Sequence, residues 1–247
     1  MAEMNKTAFQ MPIDDMFEAG AHYGYSRSRR HPSFRSVIFA SKSGVDIIDL
    51  EQTGAYLERA KAFVSDVGKS GKKMLFVGTK PSIKVFMESA ADTAGQPFVI
   101  NRWIGGLLTN MPEIKKRFAR LKDLSVKREK GELSMYTKKE RLLFDREIEK
   151  LEVNFGGVAA LENLPGALFV IDPREEKIAV TEALQTGVPV IALANSDCDI
   201  SNIAYPIPAN DSTQRSVSYF VDAIRDAYMA GRKEMIAPIP DAEKADK

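Results

Sequence analysis

Polar residues that could take part in catalysis follow two apolar runs of the chain. Asp172 comes directly after Ala-Leu-Phe-Val-Ile, and residues 195–199 read Asn-Ser-Asp-Cys-Asp after a second such run. Carboxylates at these positions could act as general acid and base, but no histidine or lysine accompanies them, and helix capping explains Asp172 equally well. Cys198 has no base nearby in the sequence, so we expect it to be structural and not a nucleophile.

A third segment, Gly78-Thr79-Lys80, lies between an apolar run and a predicted helix, where a phosphate-binding loop would lie. It lacks the second glycine and the Gly-Lys-Ser/Thr ending of such a loop, and no Gly-x-Gly-x-x-Gly occurs in the chain. The sequence therefore predicts neither a catalytic residue nor a cofactor. A nucleotide- or sugar-phosphate-binding enzyme that uses 78–80, 172 and 195–199 is kept as the alternative.

Contact with a polyanion is the chemistry that the sequence favours. Residues 19–45 contain no Asp or Glu. Within them, the glycine-hinged loop 20–32 mixes aromatic residues with arginines, which is typical of segments that meet RNA phosphates and bases. We predict phosphate contacts by Arg27, Arg29 and Arg30. The two histidines of the chain lie apart and lack further Cys or His partners, so no metal site is predicted.

A second group of cations lies on a predicted helix that follows the single tryptophan, Trp103. Between positions 113 and 130 there are eight Lys or Arg residues and three acids. This asymmetry favours a phosphate contact over a face that only keeps the helix soluble. The RNA-binding residues predicted here are Arg102, Lys115, Lys116, Arg117, Arg120 and Lys122.

Two helices are predicted to pair in this part of the chain. The apolar residues of the first are spaced four, three and three, at Ile114, Phe118, Leu121 and Leu124. Those of the second are spaced four, three and four, at Phe144, Ile148, Leu151 and Phe155. Such narrow stripes suit pairing between two helices, so we predict an antiparallel coiled-coil hairpin at 110–155.

The residues before the hairpin are expected to form its root. Thr109 or Asn110 can cap the first helix, with Pro112 in its first turn. Trp103 is predicted to be a buried wedge between the hairpin and the body. The alternative is an exposed platform on which an unpaired RNA base stacks.

The rest of the chain alternates short apolar runs with helical segments. Strands are predicted at 37–39, 45–48, 73–77, 97–100, 167–171, 188–193 and 204–207, and helices at 51–69, 175–186 and 212–230, with a further helix ending at 94. This alternation specifies a mostly parallel sheet with helices on both faces. The predicted α/β body is one domain made of 13–109 and 156–231, with a flexible leader at 1–12 and a disordered tail at 232–247.

Composition agrees with a globular, intracellular protein. The chain has 247 residues, 44% of them apolar, and a net charge of +1. Its single cysteine excludes an intramolecular disulfide framework and every cysteine-based zinc site. No apolar stretch is long enough for a membrane span, and the first ten residues lack a secretory core, so we predict a cytosolic protein with no membrane partner.

Six stretches, in order along residues 14–231, resemble the bacterial-type S-two family of small-subunit ribosomal proteins. They are residues 18–24, 47–50, 75–80, 101–110, 151–157 and 165–189. The most specific of them reads Asn-Arg-Trp-Ile-Gly-Gly-Leu-Leu-Thr-Asn. The chain differs from the family pattern in having Tyr25, Arg30-His31-Pro32 and Asn195. These differences argue against carrying a cation site over to that end of the sheet.

The resemblance implies a Rossmann-like or flavodoxin-like sheet with a protruding helical hairpin and no catalytic activity. It also implies binding to small-subunit ribosomal RNA near the junction of head and body. The implied protein partners are neighbouring ribosomal proteins, including the large one that captures messenger RNA, and not a second copy of the chain. The location implied is the small subunit in the cytoplasm.

Overall fold

The computed structural model describes residues 13–159, 161 and 163–236. The predicted leader and the last part of the predicted tail lie outside these ranges. The strands are β1 (Tyr23–Ser26), β2 (Ile38–Lys42), β3 (Val45–Ile48), β4 (Met74–Val77), β5 (Phe98–Val99), β6 (Ala167–Ile171), β7 (Val190–Ala194) and β8 (Tyr205–Pro208). The helices are α1 (Ile13–Glu18), α2 (Leu50–Lys69), α3 (Lys84–Ala94), α4 (Met111–Glu129), α5 (Lys138–Phe155), α6 (Lys177–Thr186) and α7 (Gln214–Ile236).

The main sheet has five strands in the order β5-β4-β6-β7-β8, and every neighbouring pair is parallel. All residues of β4, β6 and β7 are buried, as expected for strands covered on both faces. Phe76 and Phe169 face a core formed with α2, α3 and α7. Leu75 and Leu168, one residue earlier, face a second core with α6 and the residues around Trp103. The predicted Rossmann-like α/β fold is confirmed.

A smaller antiparallel sheet, in the order β1-β3-β2, precedes the main one. Its first strand lies within the segment predicted to be a loop at 20–32, so the loop assignment is wrong for residues 23–26, whereas contact of this segment with RNA stays a prediction. Tyr23 pairs with Ile47, and Ser26 with Val45. Gly24 allows a close approach of β1 to β3, because a Cβ there would lie 3.0 Å from the Asp46 carbonyl oxygen, tighter than ordinary contact.

Helices α4 and α5 run antiparallel and contact each other along the predicted stripes. Phe118 meets Phe155 edge to face with ring centroids 5.7 Å apart, and Leu121, Leu124 and Ile148 form a buried cluster farther along the pair. Thr137 caps α5 through a reciprocal pair of bonds with Glu140. Supercoiling of this helix pair, and its status as a unit inserted into the body, stay predictions.

Helix α7 extends past the predicted end of the body. The tail was predicted to begin at 232, but residues 232–236 are helical. Contact with α2 explains the extension, since a Cβ at Gly231 would lie 2.0 Å from the Ser65 carbonyl oxygen. Beyond this close contact, Lys69 Nζ of α2 lies 2.9 Å from Glu234 Oε2 of α7. Among the helices described, none is both long and apolar enough to cross a membrane.

Candidate nucleic-acid interface

Trp103 lies at the root of the helix pair and is buried, with 6% of its surface exposed. It belongs to the core that includes Val77 and Val99 of the main sheet and Phe155 at the end of α5. The wedge prediction is therefore confirmed, and the platform alternative is excluded. The indole also has a polar partner, because Nε1 donates a hydrogen bond to Glu182 Oε1 at 3.0 Å.

Glu182 of α6 organises the loop that leads into α4. Besides Trp103, its carboxylate accepts bonds from the backbone amides of Gly106 (2.8 Å), Leu108 (3.1 Å) and Thr109 (3.2 Å) and from the Thr109 hydroxyl (3.1 Å). Burial favours the neutral acid, but these donors outweigh it and hold the pKa of Glu182 below its ordinary value. One buried carboxylate thus fixes the loop from which the helix pair starts.

The N-terminus of α4 differs in detail from the expectation. Asn110 occupies the cap position, as predicted, but its side chain makes no capping bond. Glu182 instead satisfies the amides just before the helix, from 74 residues away in the sequence in the case of Leu108. Sequence reasoning missed Glu182. Its spacing from Ala179 and Ala183 puts this acid on the same side of α6 as the two alanines, and that side is buried.

The predicted cations of α4 are all exposed, but they are not equivalent. Lys116 Nζ lies 2.9 Å from Glu113, and Arg120 makes two bonds to the Glu147 carboxylate, at 3.0 and 3.2 Å. Within the described part of the chain, the other three form no ion pair: Lys115, Arg117 and Lys122. These three cations are available to a phosphate without displacing an acid. Arg102, at the root, is exposed as well.

The arginines of the N-terminal segment fall into two environments. Arg27 and Arg29 are exposed on a short helical turn, and the Arg29 guanidinium lies 5.5 Å from the centre of the Tyr25 ring. Arg30 is directed inward, with its Nη1 atom 3.5 Å from Oδ1 of the fully buried Asp46. The alternation of β3 puts Asp46 on the same face as buried Ile48, a signal that sequence reasoning missed.

The strand-end residues considered for an enzyme do come together, but they pair with one another and with Asp211. Lys80 Nζ lies 2.6 Å from Asp172 and 2.7 Å from Asp211, and Asn195 donates to Asp211 at 2.9 Å. Burial favours neutral Lys80, yet the two carboxylates outweigh it and raise the lysine pKa. For Asp172, burial is likewise outweighed, by Lys80, and the carboxyl pKa is lowered. The ammonium group of Lys80 therefore lies between these carboxylates, in the crevice at the carboxyl ends of the strands.

Neither a nucleophile nor a cation site fits this crevice. Cys198 is fully buried, and burial together with the nearby Asp172 raises the pKa of its thiol. Asn195 presents its amide to Asp211, and Lys80 already bridges the carboxylates, so the residues present do not suit a metal ion. Across the residues that the structure describes, no three His, Cys, Asp or Glu side chains cluster closely enough to hold one.

Several curated proteins are similar to this chain over most of its length. A "Small ribosomal subunit protein uS2" of Roseiflexus sp. (strain RS-1) is 42% identical over 217 residues, which cover 88% of this chain and 83% of that protein. The protein of the same name from Desulforapulum autotrophicum is 40% identical over 222 residues, with coverage of 90% and 79%. That of Solidesulfovibrio magneticus is 38% identical over 235 residues, with coverage of 95% and 91%.

The fold and the site define a Rossmann-like α/β protein with a cationic helix pair and with strand ends closed by internal ion pairs. Residues 16–231 match the family model described as Ribosomal protein S2. The chain belongs to this family, which is structural and non-enzymatic. It is a structural protein of the small ribosomal subunit, a cytoplasmic particle, and its function lies in translation.

Proposed function

We propose that the protein binds small-subunit ribosomal RNA through two cationic surfaces, one on α4 with its root and one on the N-terminal turn. The observation that carries the proposal is the set of α4 cations that have no ion pair among the residues described, held on a helix whose root is fixed by Glu182. A cation that is already positioned and has no acid partner gains a phosphate contact without losing another interaction.

The proposed phosphate contacts follow from exposure and pairing. The first group consists of exposed residues that form no ion pair with any described residue: Arg27, Arg29, Arg102, Lys115, Arg117 and Lys122. Lys116 and Arg120 form a second group, which contributes less because each must leave an acid. Arg30 has a supporting role, in which its charge compensates Asp46 and holds the turn that presents Arg27 and Arg29.

The finer placement rests on the family resemblance. We place the binding site near the junction of head and body, and we assign to the body the docking of the large ribosomal protein that captures messenger RNA. The protein is expected to be a single copy in this setting, not a homo-oligomer. An enzyme that uses the strand ends is not retained, because Lys80 fills that crevice with its own charge.

A tagged full-length chain tests the proposal. In cells, the tagged protein should sediment with small subunits, and the variant Lys115→Gln/Arg117→Gln/Lys122→Gln should shift toward the free fraction. The matched control Lys177→Gln/Arg215→Gln/Lys233→Gln removes two lysines and one arginine from body helices and should leave sedimentation unchanged; these three are also exposed and form no ion pair within the described residues. If both variants sediment like the unmodified protein, α4 does not hold RNA.

A further inference from the structure

The side of α5 that faces away from α4 carries apolar residues that no described part of the chain covers. Phe144, Ile148 and Leu151 face α4. At about 100° per residue, Leu142 and Val153 lie on roughly the opposite side of the helix, and Leu143 lies beside them. Their side chains are 50%, 55% and 55% exposed for Leu142, Val153 and Leu143 respectively.

Cations alternate with these apolar residues along the same side. We define the outer face of α5 by six residues: Lys139, Leu142, Leu143, Arg146, Lys150 and Val153. Its three cations are exposed, and in the described part of the chain none of them forms an ion pair. Three of the five acids of α5 are used elsewhere, since Glu147 bonds Arg120, Glu140 caps the helix and Glu152 pairs with Arg128. Of the other two, Asp145 lies toward the α4 side, and Glu149 lies at the edge of the outer face, about 20° from Leu142. The three cations of the face outnumber this one acid. The outer face is therefore both apolar and positively charged.

This combination differs from that of the proposed RNA surface on α4. An RNA backbone would satisfy the cations, but it offers nothing apolar to half-exposed leucine and valine side chains. RNA bases are held by aromatic rings or arginine planes, and the outer face offers no aromatic residue and one arginine, Arg146, among its three aliphatic side chains. Branched aliphatic side chains gain instead from burial against other apolar side chains. Charge complementarity then requires that the partner carry acids next to its apolar residues.

We propose that the outer face of α5 docks an acidic segment of a neighbouring small-subunit protein, whose apolar residues cover Leu142, Leu143 and Val153. The cations at 139, 146 and 150 pair with aspartates or glutamates of that segment. The inference rests on the proposed function, because it places the partner within the assembled subunit. It assigns to the two helices of the pair two different partners, RNA for α4 and protein for α5.

A photo-crosslinking amino acid at defined positions tests this assignment. Leu143→p-benzoylphenylalanine is introduced into the tagged full-length chain, small subunits are purified by sedimentation, and the particles are irradiated. We expect an adduct that survives ribonuclease, is destroyed by protease, and contains a peptide from another protein with Asp or Glu beside apolar residues. The same amino acid at Ala119, between the cations of α4, should give an RNA adduct.

The two probes separate this inference from the proposed function. Loss of the RNA adduct at position 119 counts against RNA binding by α4 and leaves the result at position 143 standing. At position 143, an RNA adduct, an adduct within the chain, a peptide without acids, or no adduct in sedimenting particles would each overturn the inference.

A substitution on the same face provides a second measurement. With a probe at Val153, Leu142→Ser/Leu143→Ser should lower the yield of the protein adduct about tenfold, as expected for truncation at the centre of an interface. The control Leu184→Ser changes a leucine on α6 that is equally exposed, at 49%, and should leave the yield unchanged. An unchanged yield in the double variant would contradict the proposal.

Discussion

Glu182 illustrates how a single buried carboxylate can replace a local helix cap. Its two oxygens accept bonds from Trp103, Gly106, Leu108 and Thr109, so the loop before α4 is tied to α6. The charge of the carboxylate matters, because bonds from amides to an anion are stronger than bonds to a neutral oxygen. The direction in which α4 leaves the body therefore depends on an acid in another element.

Glu182→Gln should lower the free energy of unfolding by about 1.5–3 kcal/mol, the range for a hydrogen bond to a charged group. Folding lowers the pKa of Glu182. The stability that its charge contributes is therefore fully present above the unfolded-state pKa, and it is lost as the pH falls through the folded-state pKa. Urea unfolding between roughly pH 6 and pH 3 should therefore show a steeper acid loss in the unmodified protein than in the variant. Parallel plots of unfolding free energy against pH for the two proteins would contradict this role. Glu175→Gln, which changes an exposed acid nearby, serves as control and should keep the acid loss of the unmodified protein.

Trp103→Ala should cost roughly 3–5 kcal/mol of unfolding free energy, since it empties a packed aromatic site and leaves Glu182 short of a donor. Trp103→Phe keeps an aromatic side chain but loses the Nε1 donor, and it should cost less than Trp103→Ala. Because the chain has one tryptophan, its fluorescence reports on this residue alone. The emission should be blue-shifted, poorly quenched by iodide and little changed by RNA. Strong quenching on RNA addition would show that the indole is exposed to the ligand.

At the scale of elements, the cations of the helix pair differ in whether an acid already holds them. Side chains of α4 and α5 bury a shared stripe, and the Arg120–Glu147 pair bridges the two helices at its edge. Surface ion pairs of this kind contribute little to stability, about 0–1 kcal/mol. Their effect here is on availability, because a cation held by an acid is a weaker phosphate ligand than an unpaired one.

This difference predicts a ranking among α4 variants. Lys115→Gln/Arg117→Gln/Lys122→Gln should reduce the slope of log affinity against log salt for small-subunit rRNA by about 0.7–0.9 per lost contact. Lys116→Gln/Arg117→Gln/Arg120→Gln should reduce it less, because two of its cations are paired in the free protein. Filter binding over a range of salt concentrations measures both slopes. Equal slopes in the two variants would refute the ranking.

At the scale of the molecule, one group of ion pairs joins the ends of three strands at the carboxyl edge of the parallel sheet. Lys80 follows β4, Asp172 follows β6, and Asp211 follows β8. The same edge binds ligands in many α/β enzymes. Here the chain itself supplies both the cation and the anions, so Lys80 is held by two carboxylates of the same chain and the group ties these strand ends together.

Lys80→Met should leave Asp172 and Asp211 close together without a cation, and it should lower the unfolding free energy by about 3–5 kcal/mol. Lys80→Arg keeps the charge and should lose less. The purified protein should hydrolyse no ATP or GTP above background, measured by phosphate release. Hydrolysis that disappears in Lys80→Arg while the variant stays folded would show that the edge is an active site.

Features that repeat along the chain could be predicted from residue type and spacing alone. Continuous apolar runs indicated β4, β6 and β7, and stripes spaced three and four indicated α4 and α5. These patterns suffice because burial on two faces, or along one helix stripe, selects the residue at every position of the element. The short strand β1 escaped prediction, since its four residues show no such pattern and pair only in the context of β3.

The tertiary structure alone decided which charged residues serve the surface and which serve the interior. Arg30 resembles Arg27 and Arg29 in sequence, yet only Arg30 meets a buried acid. Lys80 and Asp211 lie 131 residues apart, and Glu182 reaches a loop more than 70 residues earlier. A long side chain takes its role from whichever opposite charge or donor the folded chain brings within about 3 Å. That distance is set by the packing of remote elements, which local spacing does not encode.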